Sequence, residues 1–289
     1  MFKRLSFLPL LVLLGLMPVS PVLAQAVITH TAQPDSADLE QRGLILAQEA
    51  AQLAQFQQYE LAVPRAKLAT QLVPQNAEVW ALLGSLYLEE SEYDAGIEAL
   101  ERSRALDPED SAVWFALGSA YFQKEDYSKT IEYLEAALKL KPDTAGGWFD
   151  LGNAYYKLNQ FPKAIAQYER AVKEDAKFWP AINNIGLVLY EQGNVEGALA
   201  QWREAVLLDP KAAEPQLAIA VALYAKGDRD QGLTLGQTAL ELDGRYGNLE
   251  FLEENLWGAK LLNQAKMFLD TPKMQETMAQ SQTQPSTDN

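Results

Sequence analysis

A gapless repeat of 34 residues runs through most of this chain and constrains its fold more than any other feature. Segments 77–110 and 111–144 align without insertion, and extending the frame both ways gives six units that start at Gly43, Ala77, Ser111, Ala145, Trp179 and Ala213. A period of this length marks a supersecondary unit that cannot bury its own apolar face and must stack on copies of itself. With residues of each unit numbered from its start, position 8 reads Ala50, Gly84, Gly118, Gly152, Gly186 and Ala220. Positions 20 (Ala62, Gly96, Thr130, Ala164, Ala198, Gly232) and 27 (Ala69, Ser103, Ala137, Ala171, Ala205, Ala239) are equally small. Small side chains at helical spacing are required where two helices approach closely.

Bulky residues complement them. Position 4 holds Trp80, Trp114 and Trp148 and relaxes to Ile182, while position 7 holds Leu83, Leu117, Leu151, Ile185 and Ile219. Small against large at this spacing predicts an interlocking pair of helices, A and B, in each unit. Helix A should stop near position 15, where Asn159, Gly193 and Gly227 accept the left-handed conformation. Asp126, Asn194 and Asp228 then stand as N-caps of helix B. Pro74, Pro108, Pro142 and Pro210 at position 32 end helix B and open the next unit.

The run Trp148-Phe149-Asp150-Leu151-Gly152-Asn153-Ala154-Tyr155-Tyr156-Lys157, with Ala164, Tyr168 and Ala171 behind it, resembles the consensus of the tetratricopeptide repeat (TPR). The resemblance covers residues 43–246 and implies an all-α, right-handed TPR α-solenoid of six helix-turn-helix repeats plus a C-terminal capping helix. It also implies that helices A line a concave groove receiving a peptide or helix of a protein partner. The groove positions carried over from the family are 2, 5, 6, 9, 12 and 13. They nominate Phe115, Phe122, Phe149, Asn153, Tyr156, Asn183, Asn184, Tyr190 and Tyr224 as the partner-binding face. Aromatic rings offer rigid contact area and amides can pair with an extended backbone. Phe115 and Phe149 are the sharpest candidates, because an apolar ring at position 5 is not demanded by the helix-pair interior; their loss should leave thermal stability nearly intact. The lysine and arginine clamp with which some TPR domains grip acidic chaperone tails is missing: position 2 holds Glu78, Ala112, Gly146, Pro180 and Glu214.

The ends of the stack depart from the pattern. In the first unit Glu49 replaces the leucine of position 7 and Pro64 falls within helix B, which suits an N-terminal cap with a water-facing outer side. Residues 247–270 read as one capping helix with Asn248 as N-cap and Leu249, Leu252, Leu256 and Leu261 on one stripe. The solenoid thus spans residues 39–270, with a linker at 25–38 and a polar tail at 271–289 that composition assigns to disorder.

Lys3 and Arg4 precede an apolar run from Leu5 to Leu16 and then Val22-Leu23-Ala24, the three parts of an export leader over residues 1–24. Cleavage after Ala24 is one reading. An uncleaved anchor through residues 5–24 is the other, since about 20 residues span a bilayer. Both place the repeats outside the cytoplasm, in a periplasm or thylakoid lumen. The net charge of −15 repels phosphate backbones and excludes nucleic acid as a partner. The chain has no cysteine, its single histidine (His30) lies in the linker, and no catalytic, phosphate-binding or metal motif occurs. These residues point to a non-enzymatic scaffold without cofactor. By analogy with exported TPR proteins of bacterial envelopes and photosynthetic membranes, it would assist assembly or stability of a membrane or envelope complex. A self-associating structural envelope protein, or a non-catalytic subunit of an enzyme complex, is the alternative.

Overall fold

The computed structural model describes the backbone of residues 35–283 and the side chains of residues 35–280. The expected leader (1–24), most of the linker with His30, and the last residues of the tail lie outside the described residues. Six hairpins follow one another: α1 (Ser36–Gln55) with α2 (Tyr59–Leu72), α3 (Ala77–Glu89) with α4 (Tyr93–Leu106), and α5 (Ser111–Gln123) with α6 (Tyr127–Leu140) come first. Next are α7 (Ala145–Lys157) with α8 (Phe161–Glu174), α9 (Trp179–Glu191) with α10 (Val195–Leu208), and α11 (Ala213–Lys226) with α12 (Arg229–Leu242). Each A helix packs on its own B helix and on the B helix before it, and α1, α3, α5 and α7 also touch in succession. The A helices therefore line the inner side of the stack. Among the described residues no helix is long and apolar enough to cross a membrane.

The close approach of A and B is set at position 8. A Cβ on Gly118 would lie 2.6 Å from Leu134, on Gly152 2.5 Å from Tyr168, and on Gly186 2.4 Å from the Trp202 indole. The partners, at position 24, grow from Leu100 and Leu134 to Tyr168 and Trp202 along the chain, and each is essentially buried. Position 15 adopts positive φ in all six units, at Gln57, Ser91, Glu125, Asn159, Gly193 and Gly227. The turn geometry is thus kept even where no glycine or asparagine signals it. Asn76, Asp110, Asp126 and Asn194 cap helices through their side chains, whereas Asp228 makes no side-chain cap bond, contrary to expectation.

The tryptophans of position 4 do more than fill holes. The Trp80, Trp114 and Trp148 indoles donate to the Pro74, Pro108 and Pro142 carbonyls at 3.0, 2.9 and 2.8 Å, stitching each repeat to the turn before it. In repeat six the Gln216 amide makes the same bond to Pro210 at 2.8 Å. Repeat five, with Ile182 at position 4, lacks the side-chain donor for this bond.

The ends correct three expectations. The linker stops at Asp35, because residues 36–38 already belong to α1, where good helix formers and an Asp38–Arg42 pair at 2.9 Å extend the first helix. The capping segment is a 3-10 turn (Gly244–Gly247) and two helices, α13 (Leu249–Glu254) and α14 (Ala259–Leu269), not one. The break falls at Leu256, held at φ 66°, while Asn248 caps α13 and Leu252, Leu256 and Leu261 are buried as foreseen. Residues 272–283 form α15 (Pro272–Thr283) in place of a disordered tail. Pro272 sits at the first helical position, where its missing N–H costs nothing. Met274 and Thr277 of α15 are buried, and Met278 reaches Gly247. On the outer side of repeat one Glu49 and Gln52 are exposed, and with them Leu44 and Ile45.

Candidate partner-binding groove

The inner face divides into two parts with different occupancy. Over repeats five and six it is filled by the chain itself, since α14 lies across α9 and α11. Leu261, Ala265, Phe268 and Leu269 form its buried stripe. Its first turn is received by Glu191, whose carboxylate accepts from the backbone N–H of Lys260 at 3.1 Å and of Leu261 at 3.0 Å. These are unpaired donors of a helix start, so the carboxylate serves α14 as an N-cap supplied from another helix. Gly258 permits the approach: a Cβ there would lie 2.3 Å from the Glu191 carboxyl carbon. The Tyr190 hydroxyl pairs with the Gln264 side chain, and the Lys260 ammonium sits over the Tyr190 ring.

Phe268 explains an anomaly of repeat six. Position 24 is a ring or a leucine in repeats two to five but Gly236 here, and a Cβ on Gly236 would meet the tip of the Phe268 ring at 2.3 Å. The side chain missing from α12 is replaced by one entering from α14. Its ring stands edge-on to Tyr224 at 5.4 Å between centroids.

Four of the expected groove residues are therefore not open to a partner. Asn183, Asn184 and Tyr190 are buried and Tyr224 is half-buried beneath α14. The amides are also spent on each other. Asn183 donates to Asn184 at 3.1 Å, Asn184 donates to the Asn153 carbonyl at 3.0 Å, and the Tyr168 hydroxyl donates to the same oxygen at 2.9 Å. This ladder joins repeats four and five from within.

Glu214 lies fully inside the filled half. Burial pushes its carboxyl up to about 7, against hydrogen bonds from the Trp257 indole and the Asn183 amide that pull it down. The indole bond measures 3.1 Å, and Trp257 stands in the break between α13 and α14.

Over repeats two to four none of the described helices covers the inner face, but its rings are structural as well as available. Phe115 wedges against the next repeat, where a Cβ on Gly147 would lie 2.4 Å from its edge. Phe149 packs at 5.8 Å from Tyr168 and 5.4 Å from Phe178. Phe122 and Tyr156 pair with Tyr127 and Phe161 of their own B helices at 5.3 and 5.7 Å. Phe115, Phe122 and Phe149 are half-buried and pack on the main core, while Tyr156 belongs to it. The expectation that position 5 is free of packing demands is thus corrected. Beside the Phe122 ring is a hollow of about 220 Å³ lined also by Ser119, Gln123, Leu134, Asp150 and Asn153. Asp150 keeps access to water yet is crowded enough by the inner face that desolvation pushes its carboxyl up to about 6.

Sequence reasoning passed over Asp150 and, although it read residues 247–270 as helical, over the seat of α14 on the inner face. The signal for α14 was Gly236, a hole in an otherwise filled column; its occupant carries no mark of its own.

Two family profiles match the chain, one described as tetratricopeptide repeat over residues 48–111, 82–145 and 115–178 and one as TPR repeat over residues 186–227. Among solved structures, PilF of Pseudomonas aeruginosa is 18% identical with a TM-score of 0.61, covering 75% of this chain and 98% of that one. MamA from Desulfovibrio magneticus is 16% identical with a TM-score of 0.56, covering 58% and 96%. YrrB, described as a TPR protein with an unusual peptide-binding site, is 20% identical with a TM-score of 0.50, covering 70% and 97%. A search of curated proteins finds no match. At these identities the likeness is one of fold.

Proposed function

Because this chain is a tetratricopeptide-repeat protein, a fold typical of protein–protein interaction scaffolds, we propose that it captures a segment of another protein on the open inner face of repeats two to four. The observation that carries this reading is the division of the groove. Repeats five and six hold the chain's own helix along α9 and α11, while no described helix lies along the equivalent face of α3, α5 and α7, which is half-apolar and hollowed beside Asn153. The Asn153 side-chain oxygen is fully used by Tyr168 and Asn184, which leaves its N–H₂ group for a partner's backbone carbonyl. The peptide-binding description of YrrB supports the same use of the fold. The scaffold acts without catalysis, outside the cytoplasm behind the leader of residues 1–24, in the assembly or stability of a membrane or envelope complex.

A photo-crosslinking amino acid at Ser119, with mass spectrometry of the membrane fraction, tests this. Trapping one dominant envelope subunit at Ser119 and not at the convex residue Glu169 supports the reading; equal trapping at both sinks it. Sequencing the mature N-terminus decides between a cleaved leader and an anchor.

One observation favours self-association as a second reading. Position 3 is buried in every later repeat, but Ile45 is 47% exposed at the open end of the stack, beside Leu44. Light scattering that shows a concentration-independent monomer removes it.

A further inference from the structure

The hollow between α5 and α7 carries an electrostatic feature that the filled half of the groove lacks. Asp150 makes no ion pair and no side-chain hydrogen bond with the described residues. It shares the hollow with the Phe122 ring and with Ser119 and Gln123, which bring no charge. Across the inner positions of repeats two to four, Glu78, Glu89 and Asp150 outnumber the single base Lys157, which stands two turns further along α7. In repeats five and six both carboxylates of the inner face have partners: Glu191 takes two N–H groups of α14 and Glu214 takes the Trp257 indole. Asp150 is the inner-face carboxylate in a hollow with none.

We propose that this hollow is the seat of a cation, so that the partner segment carries a lysine or arginine that pairs with Asp150 while its aliphatic stem lies on Phe122. The proposal rests on repeats two to four being the partner groove and adds to it the chemistry of what binds there. A carboxylate already part-desolvated costs less to bury further, and a long basic side chain can lay its methylenes on a ring while its head group pairs. The hollow of about 220 Å³ takes such a side chain and does not take a helix. The pairing would also return the Asp150 carboxyl towards its ordinary range.

The test is selection of phage-displayed random dodecapeptides on the full chain, followed by anisotropy titration of the enriched peptides. Three variants go alongside: Asp150→Asn, Asp150→Glu, and Ser119→Trp, which blocks the hollow from an exposed position without removing a core ring. The expected result is enrichment of lysine or arginine next to an apolar residue. Affinity then falls about tenfold with Asp150→Asn, recovers with Asp150→Glu, and is lost with Ser119→Trp. Peptides that Ser119→Trp abolishes but that carry no base, or that bind Asp150→Asn unchanged, overturn the cation seat and leave the groove standing. Absence of enrichment, or binding indifferent to Ser119→Trp, overturns both readings. Circular dichroism of each variant shows that the fold is kept.

Discussion

Beneath Trp257 a carboxyl group holds its proton at pH values where exposed glutamates have lost theirs. Glu214 has an ordinary value of 4.5 in the unfolded chain and about 7 in the folded one. A group raised on folding contributes stability that is fully present below about pH 4.5, drains away as pH rises, and is gone above about 7. The span is at most about 3 kcal/mol. Asp243, held low by Arg245, contributes with the opposite sign, so the net pH profile of the whole chain blends both. Glu214→Gln isolates the first effect, since the amide oxygen still accepts from Trp257. Its melting temperature should match the parent near pH 4 and exceed it at pH 8; equal melting at pH 8 would show that Glu214 ionises freely. The position-5 rings allow a second residue-scale prediction. Phe115 and Phe149 are wedged between repeats, so replacing each by alanine should cost on the order of 2 kcal/mol in urea denaturation. An unchanged midpoint would return them to the free surface.

At the scale of the element, α14 is a replacement part for α12. If Phe268 fills the column that Gly236 leaves empty, the two positions are coupled and the ring can be moved back. Phe268→Ala should destabilise by about 3 kcal/mol, as emptied aromatic sites do. Gly236→Leu alone should also destabilise, because its side chain collides with Phe268. Combined, the two should cost clearly less than their sum, since Leu100 and Leu134 already occupy this column in repeats two and three. A strictly additive double-mutant cycle would refute the exchange. The same pair of residues shows where sequence reading reached its limit. Six hairpins, their turns at Gly193 and Gly227 and the cap at Asn194 were legible because each rests on local sterics or a local hydrogen bond. That Asn183, Asn184 and Tyr190 would be covered was not, because the apolar stripe of α14 names no partner in a stack whose next unit it could equally have begun. Glu125 and Ser91 make the converse point: the turn there is enforced by the hairpins on both sides, so the residue itself need not favour it.

For the whole stack, burial is graded along the chain and so should be its resistance to opening. One continuous core runs from Leu134 of repeat three through α14 to Met274, with Tyr168, Trp202 and Phe268 at its centre. Repeats one and two hold only small separate clusters, and in repeat one the column opposite position 8 is filled by Ala66. In a linear array each unit is held by its own hairpin and its two neighbours, so a unit with less apolar burial and one free side opens first. Native-state hydrogen exchange should therefore show α1 to α4 exchanging through local opening at free energies well below those of α9 to α12. Near-equal protection along the chain would mean that the solenoid opens as a single cooperative block. The gradient bears on function because the open groove lies where the two regimes meet, on α3, α5 and α7. A partner seated beside Asp150 and Phe122 would bridge soft and rigid repeats, and should raise protection in α3 and α5 while leaving α11, already clamped by α14, unchanged.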